Sequence, residues 1–204
     1  MEVKQMTINP DDMINSIMES ISRIDYIKPQ DIPGIDLYMD QVTTFMNSRL
    51  ASSKRREDDK ILTKTMINNY AKNNLLPPPV KKKYSREHML LLIFIYYFKN
   101  ILSITDIQAL LNPLTEKYFK NNPEITIEDI YNEVFRLEKT QVDLLQKDVQ
   151  DKFLRSRETF LDTPEEEREF LQMFSFICLL SFDVYVKKQL IEKLVVNLCP
   201  SGKK

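Results

Sequence analysis

The sequence predicts an all-α, mainly helical chain, on three observations. Apolar residues recur at three- and four-residue spacing along most of the 204 positions, the period of a helix rather than a strand. No alternating run of useful strand length appears. Breakers are few and fall between the periodic segments: prolines and Asn-Pro pairs, with only two glycines, Gly34 and Gly202.

Asn9-Pro10 opens the first amphipathic stretch, with Met13, Ile14, Ile17, Met18, Ile21 and Ile24 on one face, and Lys28-Pro29 closes it. Ile32-Pro33-Gly34 reads as a turn. Residues 37–50 carry Met39, Val42, Phe45, Met46 and Leu50, a short helix capped near Asp40. Residues 51–60 are polar and charged after Ala51, a loop or frayed helix end. A short helix over 63–73 precedes Leu75-Leu76 and three prolines, after which 80–84 is expected to be extended. Ser85 is placed to cap a helix through the apolar run 89–98. Ser103 caps another to Leu111, with Asn112-Pro113 as its end and a small helical piece around Tyr118 before Asn122-Pro123. Thr126 and Asp129 make a capping-box pattern, opening one helix of about 30 residues. Thr163 as cap, Pro164 at the first helical position and Glu166 at the third start the last helix, running towards Leu198.

Composition removes most enzyme chemistries. Two glycines cannot build a P-loop or a dinucleotide fingerprint. With His88 as the single histidine there is no zinc site of the usual kinds and no triad with a second histidine behind it. His88 itself reads as a packing or capping residue. Paired carboxylates at Asp58-Asp59 and Glu165-Glu166-Glu167 are explained by solvation or by a helix N-terminus. No catalytic residue, metal or cofactor is expected. Cys178 and Cys199 sit in apolar runs and read as buried thiols rather than a disulfide. The opening MEVKQMTINPDD has no secretory h-region. The apolar runs 89–98 and 170–182 fall short of the roughly 18 residues a membrane span requires. Lys99 and Asp183 close them, so they read as buried helices of a cytoplasmic protein.

Charge is unevenly placed. The chain holds 29 basic and 30 acidic residues, yet residues 49–88 hold eleven basic side chains against four acidic ones. A concentrated positive region on an otherwise acidic chain is the footprint of a polyanion-binding surface. Within it, the helical wheel of residues 64–72 puts Met66, Ile67, Tyr70 and Ala71 on one half. The other half carries Lys64, Thr65, Asn68, Asn69 and Lys72. Asparagine can bond adenine bidentately in a major groove, while lysine neutralises phosphate. Asn73-Asn74 can then take a left-handed C-cap. Pro77, Pro78 and Pro79 stiffen the path to Lys81, Lys82, Lys83 and Tyr84.

The stretch MINNYAKNNLLPPPVKKKYSREHMLLLIFIYYFKNILSITDIQALL resembles the DNA-binding domain of the MerR family of bacterial transcription regulators. Tyr70 fits the family's helix tyrosine, and Asn74, Leu75 and Leu76 its Gly-Leu-Leu. Residues 77–83 fit its wing and Tyr84 the tyrosine that closes it. Leu92 and Ile95 fit the spaced apolar pair, and Ser103, Ile104, Ile107, Leu110 and Leu111 the final helix. The stretch also resembles an uncharacterised bacterial family, domain of unknown function 1836. The resemblance implies a winged helix-turn-helix domain with residues 37–50 as its first helix, followed by a helical bundle or dimerisation region. Two departures are an asparagine at 74 in place of glycine and a longer link, residues 51–60, between the first two helices.

On this reading the chain divides into an N-terminal helical arm (1–35), the winged helix-turn-helix (36–112) and a C-terminal helical domain (113–204). Thr65, Asn68 and Asn69 face base edges. Lys64, Lys72, Lys81, Lys82, Lys83 and Arg86 hold phosphates, with Arg55 and Arg56 as an extra arm. The expected function is a double-stranded DNA-binding transcription regulator. MerR regulators dimerise through a helix after this domain, and Ile127, Ile130, Val134 and Leu137 have the spacing of a coiled-coil seam. Gln141 and Asp148 interrupt it, so a bundle with 165–198 fits better. A homodimer is expected, with a monomeric helical domain as the alternative. The competing function is a protein-interaction adaptor whose basic strip binds an acidic protein. Nothing in the C-terminal half indicates an effector.

Overall fold

A computed structural model of the chain describes residues 9–22, 27–54, 56, 58–120, 124–139 and 141–199. Arg55 and the Asn122-Pro123 breaker lie outside these residues. The chain is mainly helical, with one small antiparallel sheet of two strands. It divides into two compact units, each discontinuous in sequence, where the sequence reading draws three consecutive segments. One unit comprises 1–26 and 135–189, the other 27–134 and 190–204.

The second unit carries the basic region. Its elements are β1 (Leu37–Tyr38), α2 (Met39–Arg49), α3 (Lys64–Lys72), β2 (Lys83–Tyr84), α4 (Arg86–Phe98), α5 (Ile104–Tyr118) and most of α6 (Ile127–Lys139); the helix before them, α1 (Pro10–Ser22), belongs to the first unit. Helix α4 is apolar all round, and Met89 through Ile95 are all buried, as a helix without a polar face requires. Tyr131 of α6 donates its hydroxyl to the Ile27 carbonyl at 2.6 Å and meets Phe94 of α4 edge-on. The strands pair Leu37 with Tyr84 and Tyr38 with Lys83.

Two caps read from sequence are present: Ser103 accepts from the Asp106 N–H at 3.1 Å and Thr126 from the Asp129 N–H at 3.1 Å. Thr63, read only as the start of its helix, also caps it by accepting from the Met66 N–H at 3.1 Å, and the N-cap of α2 is Tyr38 rather than Asp40, its N–H donating to the Gln41 side chain at 2.9 Å. Three expectations about the helices are corrected. Helix α5 does not stop at Asn112-Pro113; it continues to Tyr118 and absorbs the separate piece expected there. Pro113 has no N–H for the Ala109 carbonyl four residues back. The Cys199 thiol donates to that same oxygen at 3.1 Å, so the carbonyl is not orphaned. Replacing Cys199 by alanine is expected to cost about 0.5–1.5 kcal/mol, while Cys199→Ser keeps the donor and the stability. Urea midpoints of the two variants check this.

The single helix of about 30 residues expected after Thr126 is two helices, α6 and α7 (Val142–Arg157). The third correction concerns α8 (Glu165–Leu198). In the first unit, Ile14 of α1, Val149 and Phe153 of α7 and Phe176 of α8 form one buried cluster. Only one flank of α8 is used there. Phe170, Phe174, Ile177, Phe182 and Cys178 are exposed, where buried residues were expected. The reason is that α8 carries no charged residue on any side between Phe170 and Phe182, and one packed side cannot cover that stretch. By length and composition α8 could also cross a membrane, and 17% of its most apolar window is buried.

Candidate nucleic-acid interface

Helix α3 is amphipathic as its wheel predicts. Ile67 and Tyr70 are buried, while Lys64, Thr65, Asn68, Asn69 and Lys72 are exposed. Its end is a Schellman motif. Asn74 stands at φ 55°, the Leu75 N–H bonds the Tyr70 carbonyl at 2.9 Å, and the Asn74 N–H reaches Ala71 at 3.3 Å. The Gln108 amide of α5 holds the Asn73 carbonyl at 2.9 Å. The helix is therefore clamped at its far end, which fixes the direction its polar face looks.

The link from α2 to α3 is anchored at both ends. A 3-10 turn, Ala51–Ser53, places the Ser53 hydroxyl in a hydrogen bond with Tyr96 of α4. Ile61 and Leu62 are buried, and the Lys99 ammonium donates to the Ile61 carbonyl at 2.7 Å. What remains as a loop is short and carries Arg56, which is exposed. Arg55, its expected companion, lies outside the described residues.

The proline-led segment does not run straight through 80–84 as expected. Val80 and Lys83 exchange two backbone hydrogen bonds, 3.1 and 2.9 Å, and Lys81 and Lys82 between them stand at φ 50° and 64°. Positive φ at both central positions is the signature of a type I′ turn, which prefers Asn-Gly. Left-handed backbone costs an L-residue with a Cβ roughly 1–2 kcal/mol. Two exposed lysines are thus held where small residues would be more comfortable.

The structure brings part of the expected basic set together. Lys64 pairs with Asp40, and the Lys83 ammonium lies 5.1 Å from the centre of the Tyr38 ring. Tyr38 and Asp40 are two residues apart. The start of α3 and the base of the lysine turn therefore meet on one short segment. The sequence reading missed Tyr38 altogether and used Asp40 only as a cap, because both partners lie more than 20 residues away. The Lys64–Asp40 pair is exposed, with little net worth, and exchanges readily for another anion.

Arg86, expected among the phosphate contacts, is held by groups of the protein itself. Its guanidinium donates to the Pro29 carbonyl at 2.8 Å and to the Glu128 carboxylate at 2.9 Å, tying α6 and the segment before β1 to the start of α4. Beside it, His88 is fully buried. Its Nδ1 accepts the Ser85 N–H at 3.0 Å, closing the capping box of α4. Burial, helped by the charge of Lys120, lowers its pKa to about 4, against the pull of the Pro77 and Pro78 backbone and Asp36.

A family model described as "Domain of unknown function (DUF1836)" matches residues 27–134, just over half of the chain. The chain belongs to the DUF1836 family. The matched span coincides with the continuous part of the second unit. The DUF1836 domain thus holds α3, the lysine turn, the Tyr38–Asp40 segment and the Arg86–Glu128 tie. No curated protein and no solved structure matches the chain.

Proposed function

We propose that the DUF1836 domain is a winged helix-turn-helix that binds duplex DNA and regulates transcription. In this reading α2 and α3 are the two helices and the turn at 80–83 is the wing. Thr65, Asn68 and Asn69 read base edges from α3. Lys64, Lys72, Lys81, Lys82 and Lys83 hold phosphates, with Arg56 beside them. The observation that carries it is the exposed Asn/Lys face of a clamped α3, set by the Tyr38–Asp40 segment beside a strained turn of lysines. Backbone held against its own preference is most often found where function needs it.

Asn69→Ala is expected to weaken binding to the preferred sequence by about 1–3 kcal/mol and to leave random duplex unaffected. Fluorescence titration against selected and random duplexes measures both. Absence of any affinity for random duplex at low salt rejects the reading, and the basic strip then passes to an acidic protein partner.

A further inference from the structure

Between Phe170 and Phe182, α8 carries no charged residue. Its inner flank is occupied within the first unit. Phe176 packs on Phe153, the Gln172 amide donates to the carbonyls of Arg157 and Thr159 at 2.8 and 2.9 Å, and Asp183 binds Lys152 at 2.8 Å. The outer flank is apolar and open. Phe170, Phe174, Ile177 and Ser181 follow one another at four- and three-residue spacing, so they form one stripe. Phe174 is 55% exposed, Ile177 54% and Phe182 66%.

Aromatic side chains bury roughly 150–250 Å² each. Phe170, Phe174, Phe182 and Tyr185, all more than half exposed, with Ile177 present on the order of 500 Å². That is near the upper limit for a soluble monomer. Val184 lies beside the same stripe, while Leu179 and Val186 sit well round the helix from it.

We propose that this flank of α8 pairs antiparallel with α8 of a second copy, about the turn Ile177–Ser181. The ends of the stripe select that occupant. Glu165, Glu166, Glu167 and Glu169 with a single Arg168 stand at one end; Lys187 and Lys188 stand at the other, where Asp183 lies 3.5 Å from Lys187 and Glu192 and Lys193 follow. Antiparallel pairing sets the acidic end of each copy beside the basic end of its mate, and opposes the two helix dipoles. Parallel pairing sets like charges together. A two-fold contact of this kind is self-complementary and closes on itself. Hydrocarbon is the poorer cover. The stripe's own helix carries the buried Gln172 and the Asp183–Lys152–Asp148 network on its other side, and charged groups are costly at membrane depth. Neither α3 nor the lysine turn takes part, so this pairing stands or falls separately from DNA binding.

Cys178 is exposed on this turn, within one helical turn of the proposed two-fold axis. Oxidation of the full chain with copper–phenanthroline is expected to yield a disulfide-linked dimer, kept in Cys199→Ser and lost in Cys178→Ser. Sedimentation equilibrium is expected to show a dimer whose dissociation constant rises about a hundredfold in Ile177→Glu, and rises also in the milder Phe174→Ser, with far-UV circular dichroism unchanged. Lys188→Glu weakens the dimer, and Glu167→Lys in the same chain restores it. A monomer at every concentration, a dimer indifferent to Ile177→Glu, or a chain that floats with phosphatidylcholine vesicles overturns the proposal.

Discussion

Replacing Lys81-Lys82 by Asn-Gly is expected to make the protein more stable and a poorer DNA binder at once. The two lysines occupy the central positions of the turn at φ 50° and 64°. Asn-Gly takes that backbone without the steric penalty, so stability rises by about 1–3 kcal/mol. Two ammonium groups disappear from the proposed phosphate contacts. The slope of log affinity against log salt then falls by about 2, since each phosphate contact contributes about 0.9. Denaturant titration gives the first quantity and fluorescence titration across a salt series the second. If affinity and salt slope are unchanged while stability rises, the lysines are not phosphate contacts. If stability falls, the turn is not strained. A gain and a loss of opposite sign at one site are what a local sacrifice of stability for function predicts.

The second large effect is acid sensitivity. His88 has its pKa lowered to about 4 in the folded chain, mainly by burial, against about 6.5 when unfolded. Between those values the unfolded chain binds a proton and the folded chain does not, so the unfolded state gains as pH falls. The stabilisation is complete above about pH 6.5, shrinks through the window down to about pH 4, and changes no further below it. The full loss is roughly 3 kcal/mol, because each pH unit of that window is worth about 1.4 kcal/mol. The geometry agrees, because protonating Nδ1 removes the acceptor for the Ser85 N–H. Urea titrations at pH 7 and pH 4.5 measure the loss. His88→Gln can retain the capping box without titrating, and is expected to flatten the dependence. An equally acid-sensitive His88→Gln variant assigns the effect to carboxylates instead.

These two sites show where sequence is legible and where it is not. The amphipathic wheel of α3, the caps at Ser103 and Thr126, and the left-handed Asn74 all follow from residues within one helical turn of each other. So does the burial of the all-apolar α4. Arg86 is different. A basic residue three places after a run of lysines reads as one of them, until Glu128, 42 residues on, claims its guanidinium. Pro113 reads as a stop until Cys199 supplies a donor to the carbonyl it leaves open. The run 170–182 reads as core, yet only one flank of α8 finds other helices.

The sequence alone determined the helical class, the element starts and the polarity of α3, because helix periodicity and caps are satisfied by neighbours a few residues apart. Tertiary structure alone decided which cations are spoken for, where the lysine turn bends and which apolar flank stays open. Burial and ion pairing depend on what lies opposite, which here is tens of residues away; the turn closes locally between Val80 and Lys83, but Lys83 is held by its pairing with Tyr38, far back in the chain.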